Sequence, residues 1–153
     1  MKKYKSILIP TLCAATVILL LRCIFFVGYV PTESMEPTIP KGSNILGYRI
    51  YGKLCEGDII IFMKDGNLFV KRIAAVSGDV IKRDGGNLTV PINSFYVLGD
   101  NRGHSYDSRF WQDPFVENED IIAKFISHSF PTALQAAVRV TAPSSTVKAG
   151  VHW

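Results

Sequence analysis

Three segments of this chain carry residues whose types and spacing suit hydrolytic chemistry. Such chemistry needs an activated nucleophile, a base and a place for negative charge to develop. Histidine is the usual base, yet His104, His128 and His152 all lie late in the chain. A serine with a lysine base is the other established arrangement. It carries a protonation requirement, because with a pKa near 10.4 only about one free lysine in 2,500 is neutral at pH 7. Burial disfavours the charged form and lowers that pKa by up to several units. In Leu68-Phe69-Val70-Lys71-Arg72-Ile73-Ala74, strand alternation puts Phe69 and Ile73 on the face of Lys71 and turns Arg72 the other way. The same lysine also reads as one placed on a strand edge to discourage aggregation.

The serine to pair with it is Ser34, in the proline-bracketed loop Pro31-Thr32-Glu33-Ser34-Met35-Glu36-Pro37-Thr38. Taken alone, a serine in such a loop is usually just an ordinary turn residue. The third segment is Gly99-Asp100-Asn101-Arg102-Gly103-His104-Ser105-Tyr106-Asp107-Ser108-Arg109, which follows an apolar strand. Its composition fits a solvated loop. It also sets Asp100 and Asp107 against Arg102 and Arg109, charges able to lock a rigid loop beside a site.

The elements that must position these groups follow from the hydropathy pattern. Between Ser6 and Val30 the only charged residue is Arg22. A membrane-spanning helix needs roughly 20 apolar residues, and an arginine at its end can reach the headgroups at little cost. Residues 1–22 therefore read as a cytoplasmic start and a transmembrane anchor. Lys2, Lys3 and Lys5 precede the apolar run, which puts the amino terminus inside and everything after Arg22 outside. A cleaved signal peptide is the rival reading, but Arg22-Cys23-Ile24-Phe25-Phe26 lacks the small residues of a cleavage site. Ser34 then lies twelve residues past Arg22, at most about 40 Å from the bilayer surface.

After Pro31 the pattern becomes short segments rich in Val, Ile, Phe and Tyr, at 44–50, 58–63, 68–76, 87–90, 95–98 and 121–126. Turn pairs such as Glu56-Gly57, Asp65-Gly66 and Gly85-Gly86 separate them. The expected fold is mostly β, an antiparallel barrel-like or sandwich domain over 23–130 with one N-terminal transmembrane helix. From 131 to 153 the pattern has no consistent period beyond a weak helical trace at 133–138, and this reads as a loosely structured tail. A chain of 153 residues leaves little for a second domain. The net charge of +4 is spread without a basic, aromatic-interleaved stripe, so nucleic acid is not an expected partner. Three cysteines without metal-like spacing support neither a disulfide framework nor a zinc site.

Taken together and in order, the three segments resemble the boxes of type I signal peptidases. Pro31 to Thr38 looks like the family's serine box, with the serine before methionine as nucleophile. Glu56-Gly57-Asp58-Ile59-Ile60-Ile61-Phe62 resembles its Gly-Asp strand, and Val70-Lys71-Arg72-Ile73 with Gly78-Asp79 its lysine box. Gly99-Asp100-Asn101-Arg102 with Ser105, Asp107, Ser108 and Arg109 looks like the last box.

The resemblance implies Ser34 as nucleophile and Lys71 as general base. Thr32 would help form the oxyanion hole, and Ser105 would orient the lysine. Gly99, Asp100, Asn101, Asp107 and Arg109 would support the loop. It further implies cleavage of signal peptides from secreted preproteins at the outer face of a lipid bilayer, without metal or cofactor. Glu33 stands where the family often has Gly or Asp, and Ala75 and Ser77 where a Gly and a Pro are usual. The length resembles the compact Gram-positive form. Two other readings use the same residues differently: a triad of Ser34, His104 and Asp100 or Asp107, and an anchored β-domain that binds peptides without cutting them. The self-cleaving repressors of the SOS response share a Ser/Lys pair but carry a DNA-binding domain instead of an apolar helix.

Overall fold

The computed structural model describes residues 2–83 and 86–129, with side chains from residue 8 onward. The apolar amino-terminal run forms α1 (Lys2–Ile24), which passes without a loop into β1 (Phe25–Tyr29). Then come β2 (Asn44–Tyr48), β3 (Ile59–Lys64), β4 (Asn67–Val76), β5 (Val80–Arg83), β6 (Gly86–Thr89), β7 (Ser94–Leu98), β8 (Phe115–Glu117) and β9 (Ile121–Ser127). A short 3-10 turn at Asn118–Asp120 leads into β9.

Seven strands make one sheet in the order β1-β2-β9-β3-β4-β7-β8, and β5 and β6 make a separate hairpin. Every pairing is antiparallel. The expectation of a mostly antiparallel β domain is therefore met. β3 and β4 are joined at Asp65-Gly66, both with positive φ (50° and 75°), the geometry of the tight hairpin turn that asparagine, aspartate and glycine favour.

Ile59, Ile60, Ile61 and Phe62 of β3 are all buried because both faces of the sheet are covered. Ile60, Phe62, Ile73, Val97 and Trp111 form a core on one face, with Phe69 packed against it. Ile59 and Ile61 join Val30, Met35, Ile39, Ile45 and Ala123 on the other. Successive residues of a strand point to opposite faces, so an unbroken apolar run on a central strand serves two cores at once.

The sequence reading differs from the structure in several places. β1 lies inside the run read as part of one apolar stretch, and β5 and β8 were not expected as strands. Among the described residues, no helix is long and apolar enough to cross a membrane, so the expected spanning anchor is not met on them. The part of α1 with described side chains runs only from Leu8 to Ile24 and includes Arg22, short of the roughly 20 apolar residues a span needs. The tail expected at 131–153, with its helical trace, lies outside the described residues.

Candidate active site

Ser34 is presented by a loop pinned from beneath. Met35 and Ile39, both fully buried, sink into the second core, and the Ile39 N–H donates to the Met35 carbonyl at 2.9 Å. The neighbouring Ser34 is thereby held with only 7% of its surface exposed. Across from it, β4 alternates as its sequence requires, burying Lys71, Ile73 and Ala75 on one face and leaving Arg72 half-buried on the other. Register pairs Lys71 with Ile60 and Ile73 with Val97, so apolar side chains surround the stem of the lysine. Lys71 is 3% exposed, and its Nζ donates to Ser34 Oγ at 2.6 Å. Burial lowers the pKa of this amine to about 8. Asp107 pulls it back up, while Arg109 pushes it down. The two residues are brought together from segments 37 positions apart.

The 99–109 loop supplies the third wall. Asp107 is completely buried and acts as its hub. It accepts from the Gly99 N–H (2.9 Å), from Ser105 Oγ (2.7 Å) and from the Arg109 guanidinium at both oxygens (2.8 and 3.0 Å). Burial alone would raise this carboxyl's pKa, but the hydrogen bonds from Arg109, Gly99 and Ser105 bring it below its ordinary value. Ser108, also fully buried, continues the sheet by receiving the Val97 N–H on its hydroxyl at 2.9 Å. The loop is stitched to the Ser34 segment by two bonds from Asn101, whose N–H donates to the Ser34 carbonyl (3.0 Å) and whose side-chain amide donates to the Glu33 carbonyl (3.2 Å).

Several sequence expectations are redrawn here. Asp107 does pair with Arg109, but Asp100 pairs with Arg72 rather than with Arg102. The Arg72 guanidinium reaches both Asp100 oxygens, at 2.8 and 2.6 Å, and also the Gly57 carbonyl at 2.7 Å. This bridge from β4 to the loop was missed because alternation says which way Arg72 points and nothing about what it meets. The Ser105 hydroxyl donates to Asp107 at 2.7 Å. Thr32 Oγ1 lies 3.4 Å from Ser34 Oγ. His104 is exposed, and its backbone N–H donates to the Asn101 carbonyl.

Gly99 is where the loop and the Ser34 segment press together. A Cβ built on it would overlap the Ser105 side chain and stand 2.5 Å from the Ser34 carbonyl oxygen. Gly99→Ala is therefore expected to cost about 1–3 kcal/mol through overpacking. Thermal unfolding should show a fall of at least about 4 °C in Tm. An unchanged Tm would mean that the loop yields freely and that the contact constrains nothing.

On β4, an interior strand of the antiparallel sheet, a buried lysine amine thus donates to a serine hydroxyl, the two groups that a Ser/Lys hydrolase would need side by side. The model of the signal peptidase family, peptidase S26, matches residues 2–91 and 86–130, and this chain belongs to that family. It is 30% identical to a signal peptidase I of Leptolyngbya laminosa over 139 aligned residues, covering 67% of this chain and 68% of the relative. It is 30% identical to a probable signal peptidase I-1 of Synechocystis sp. over 165 aligned residues, covering 82% of each. An inactive signal peptidase IA of Staphylococcus aureus is 25% identical and covers 86% of this chain and 94% of its own length.

Proposed function

We propose that this chain is an active signal peptidase, a serine endopeptidase that removes amino-terminal signal peptides from secreted preproteins. The observation that carries the reading is the 2.6 Å contact between the Lys71 amine and the Ser34 hydroxyl inside an apolar wall. With the amine neutral, Ser34 Oγ attacks the scissile carbonyl carbon while its proton passes to Lys71 Nζ. The oxyanion that forms is stabilised by the Ser34 backbone N–H and the Thr32 hydroxyl. Collapse to the acyl-enzyme breaks the C–N bond, and the leaving amine takes the proton from Lys71. Water then attacks the ester with Lys71 again as base, releasing the signal peptide and restoring the Ser34 hydroxyl. Asp107 and Arg109, with Gly99, Ser105, Asp100 and Asn101, hold the wall against which this happens.

In this reading residues 1–22 are the anchor and 23–130 the catalytic part, facing outward. The support is the exposed apolar surface of α1, where Leu8, Ile9, Leu12, Ile18 and Leu19 are each more than half exposed, together with the lysines that precede it. Such a surface is a poor fit to water and a good one to lipid. The substrate would then present a small-residue cleavage site in extended form at the outer face.

A second reading, a β-domain that binds such peptides without cutting them, is kept because one relative bears the name of an inactive signal peptidase. Incubation of the detergent-solubilised protein with a preprotein, followed by sequencing of the new amino terminus, separates the two. Cleavage after small residues at the first and third positions before the bond is the expected result. Peptide binding without any new amino terminus would leave the second reading standing.

A further inference from the structure

The β5–β6 hairpin stands apart from the main sheet, and the chemistry derived above makes no use of it. Its base is fixed by the Gly78 N–H to the Val90 carbonyl, the Val90 N–H to the Asp79 carbonyl, and the Val76 N–H to the Asp79 carboxylate, all at 2.8–2.9 Å. Its inner side is seated on a small core of Ala75, Val90 and Tyr96, against which Ile81 packs. A hairpin held at these points has a defined position relative to β4 and β7. At the end of β5, Arg83 extends its guanidinium to the backbone carbonyl of Arg109 at 2.5 Å. Among the described residues, no ion pair includes Arg83.

Resting on the signal-peptidase reading, we propose that Arg83 is a positioning residue, a clamp by which the β5–β6 hairpin holds the 99–109 loop against the Ser34/Lys71 pair. The path is continuous. The Arg109 carbonyl is fixed by Arg83, and the Arg109 guanidinium and N–H are fixed on Asp107. Asp107 in turn fixes the Gly99 N–H and the Ser105 hydroxyl, and Gly99 is packed so closely between Ser105 and the Ser34 carbonyl that a Cβ on it would meet both. Beyond Asp107 the outer side of the loop is open to solvent, with Tyr106 and Phe110 both more than half exposed and stacked on each other. A donor arriving from the hairpin therefore restrains a stretch that has little else above it. Arg83 touches neither substrate nor reacting atoms and acts only through Arg109 and Asp107.

The clamp has a consequence for pH. The charged groups facing Lys71 are Asp107 and Arg109, with Asp100 behind them, and burial is what chiefly lowers its pKa to about 8. A loosened loop admits water to the amine, which relieves the desolvation and moves the pKa back toward its ordinary 10.5.

The experiment compares wild type, Arg83→Ala and Arg83→Lys as full-length, detergent-solubilised protein. It measures kcat and KM on one preprotein across pH, Tm, and amide hydrogen exchange at Gly99 and Asn101. Arg83→Ala is expected to lower kcat about tenfold with KM unchanged. It should shift the rising limb of the pH–rate profile to higher pH and speed exchange at both amides. Arg83→Lys, which can still donate to the carbonyl, should recover most of the rate. An Ala variant with wild-type kcat and limb overturns the clamp, as does a loss that follows a lowered Tm and is not rescued by Lys. If wild type itself cleaves nothing, the signal-peptidase reading fails, and unchanged exchange at Gly99 and Asn101 would still overturn the clamp separately.

Discussion

Ser34→Ala is expected to leave no measurable cleavage of a preprotein while the protein keeps its fold. The argument is geometric before it is chemical. Lys71 Nζ touches Ser34 Oγ at 2.6 Å, and among the described residues the other hydroxyl close to that oxygen is Thr32 Oγ1, at 3.4 Å. Without Oγ there is no atom to carry the acyl group, and a loss on the order of 10⁶ in kcat is the usual consequence of removing such a nucleophile. The fold loses one hydrogen bond, and the orphaned amine costs about 1–3 kcal/mol. That amine can answer by shedding its proton, so a cooperative unfolding transition should persist. Cleavage of a preprotein by the purified variant, read beside its Tm, checks this. More than a few per cent of wild-type activity would remove Ser34 from the mechanism.

The second large effect is expected at Lys71, where function and stability should move in opposite directions. As general base the lysine must be neutral, so kcat/KM should rise with pH through about 8 and level off above it. Lys71→Met should abolish that limb together with cleavage. Lys71→Arg should do no better, because a guanidinium does not deprotonate in this range. The same lowered pKa bears on folding. Between about 8 and 10.5 the unfolded chain binds a proton at this lysine that the folded chain does not, so this group's contribution to stability rises with pH across that window. Below it, a shift of this size corresponds to roughly 3 kcal/mol of destabilisation. Lys71→Met, which keeps the apolar stem without the amine, should therefore raise Tm at neutral pH. A Met variant that is inactive but less stable would mean that the amine is well solvated in the folded state and that its burial is not what tunes it. His104→Ala should change the rate only modestly, because that exposed side chain stands outside the contacts described here.

Much of the site could be read from the order of residues because its chemistry is local. Alternation in 68–74 placed Phe69, Lys71 and Ile73 on one face, and the structure buries Lys71 and Ile73 in that way, with Phe69 packed on the same core. What could not be read was everything that depends on strands meeting. β9 enters the sheet between β2 and β3, and nothing in 121–127 encodes its neighbours. β1 was hidden because Phe25-Phe26-Val27 continues the apolarity of the helix before it, and a short apolar run does not distinguish strand from helix. β5 was passed over because Val80-Ile81-Lys82-Arg83 is brief and half charged, and β8 because three residues carry no period. The Arg72–Asp100 bridge joins positions 28 apart, so it follows from the β4–β7 register and not from either motif.

The separation in sequence of the groups that meet at Ser34 has a consequence for when activity appears. Ser34 meets Lys71, 37 positions later, and its loop is stitched through Asn101 to a segment later still. Contacts of such long reach close slowly, because loop entropy must be overcome before they are rewarded. A nascent or half-folded chain thus holds the serine and the lysine apart, with the amine in water and protonated. On the signal-peptidase reading, proteolytic competence would be withheld until the last strands have docked, and recovery of cleavage would time the end of refolding.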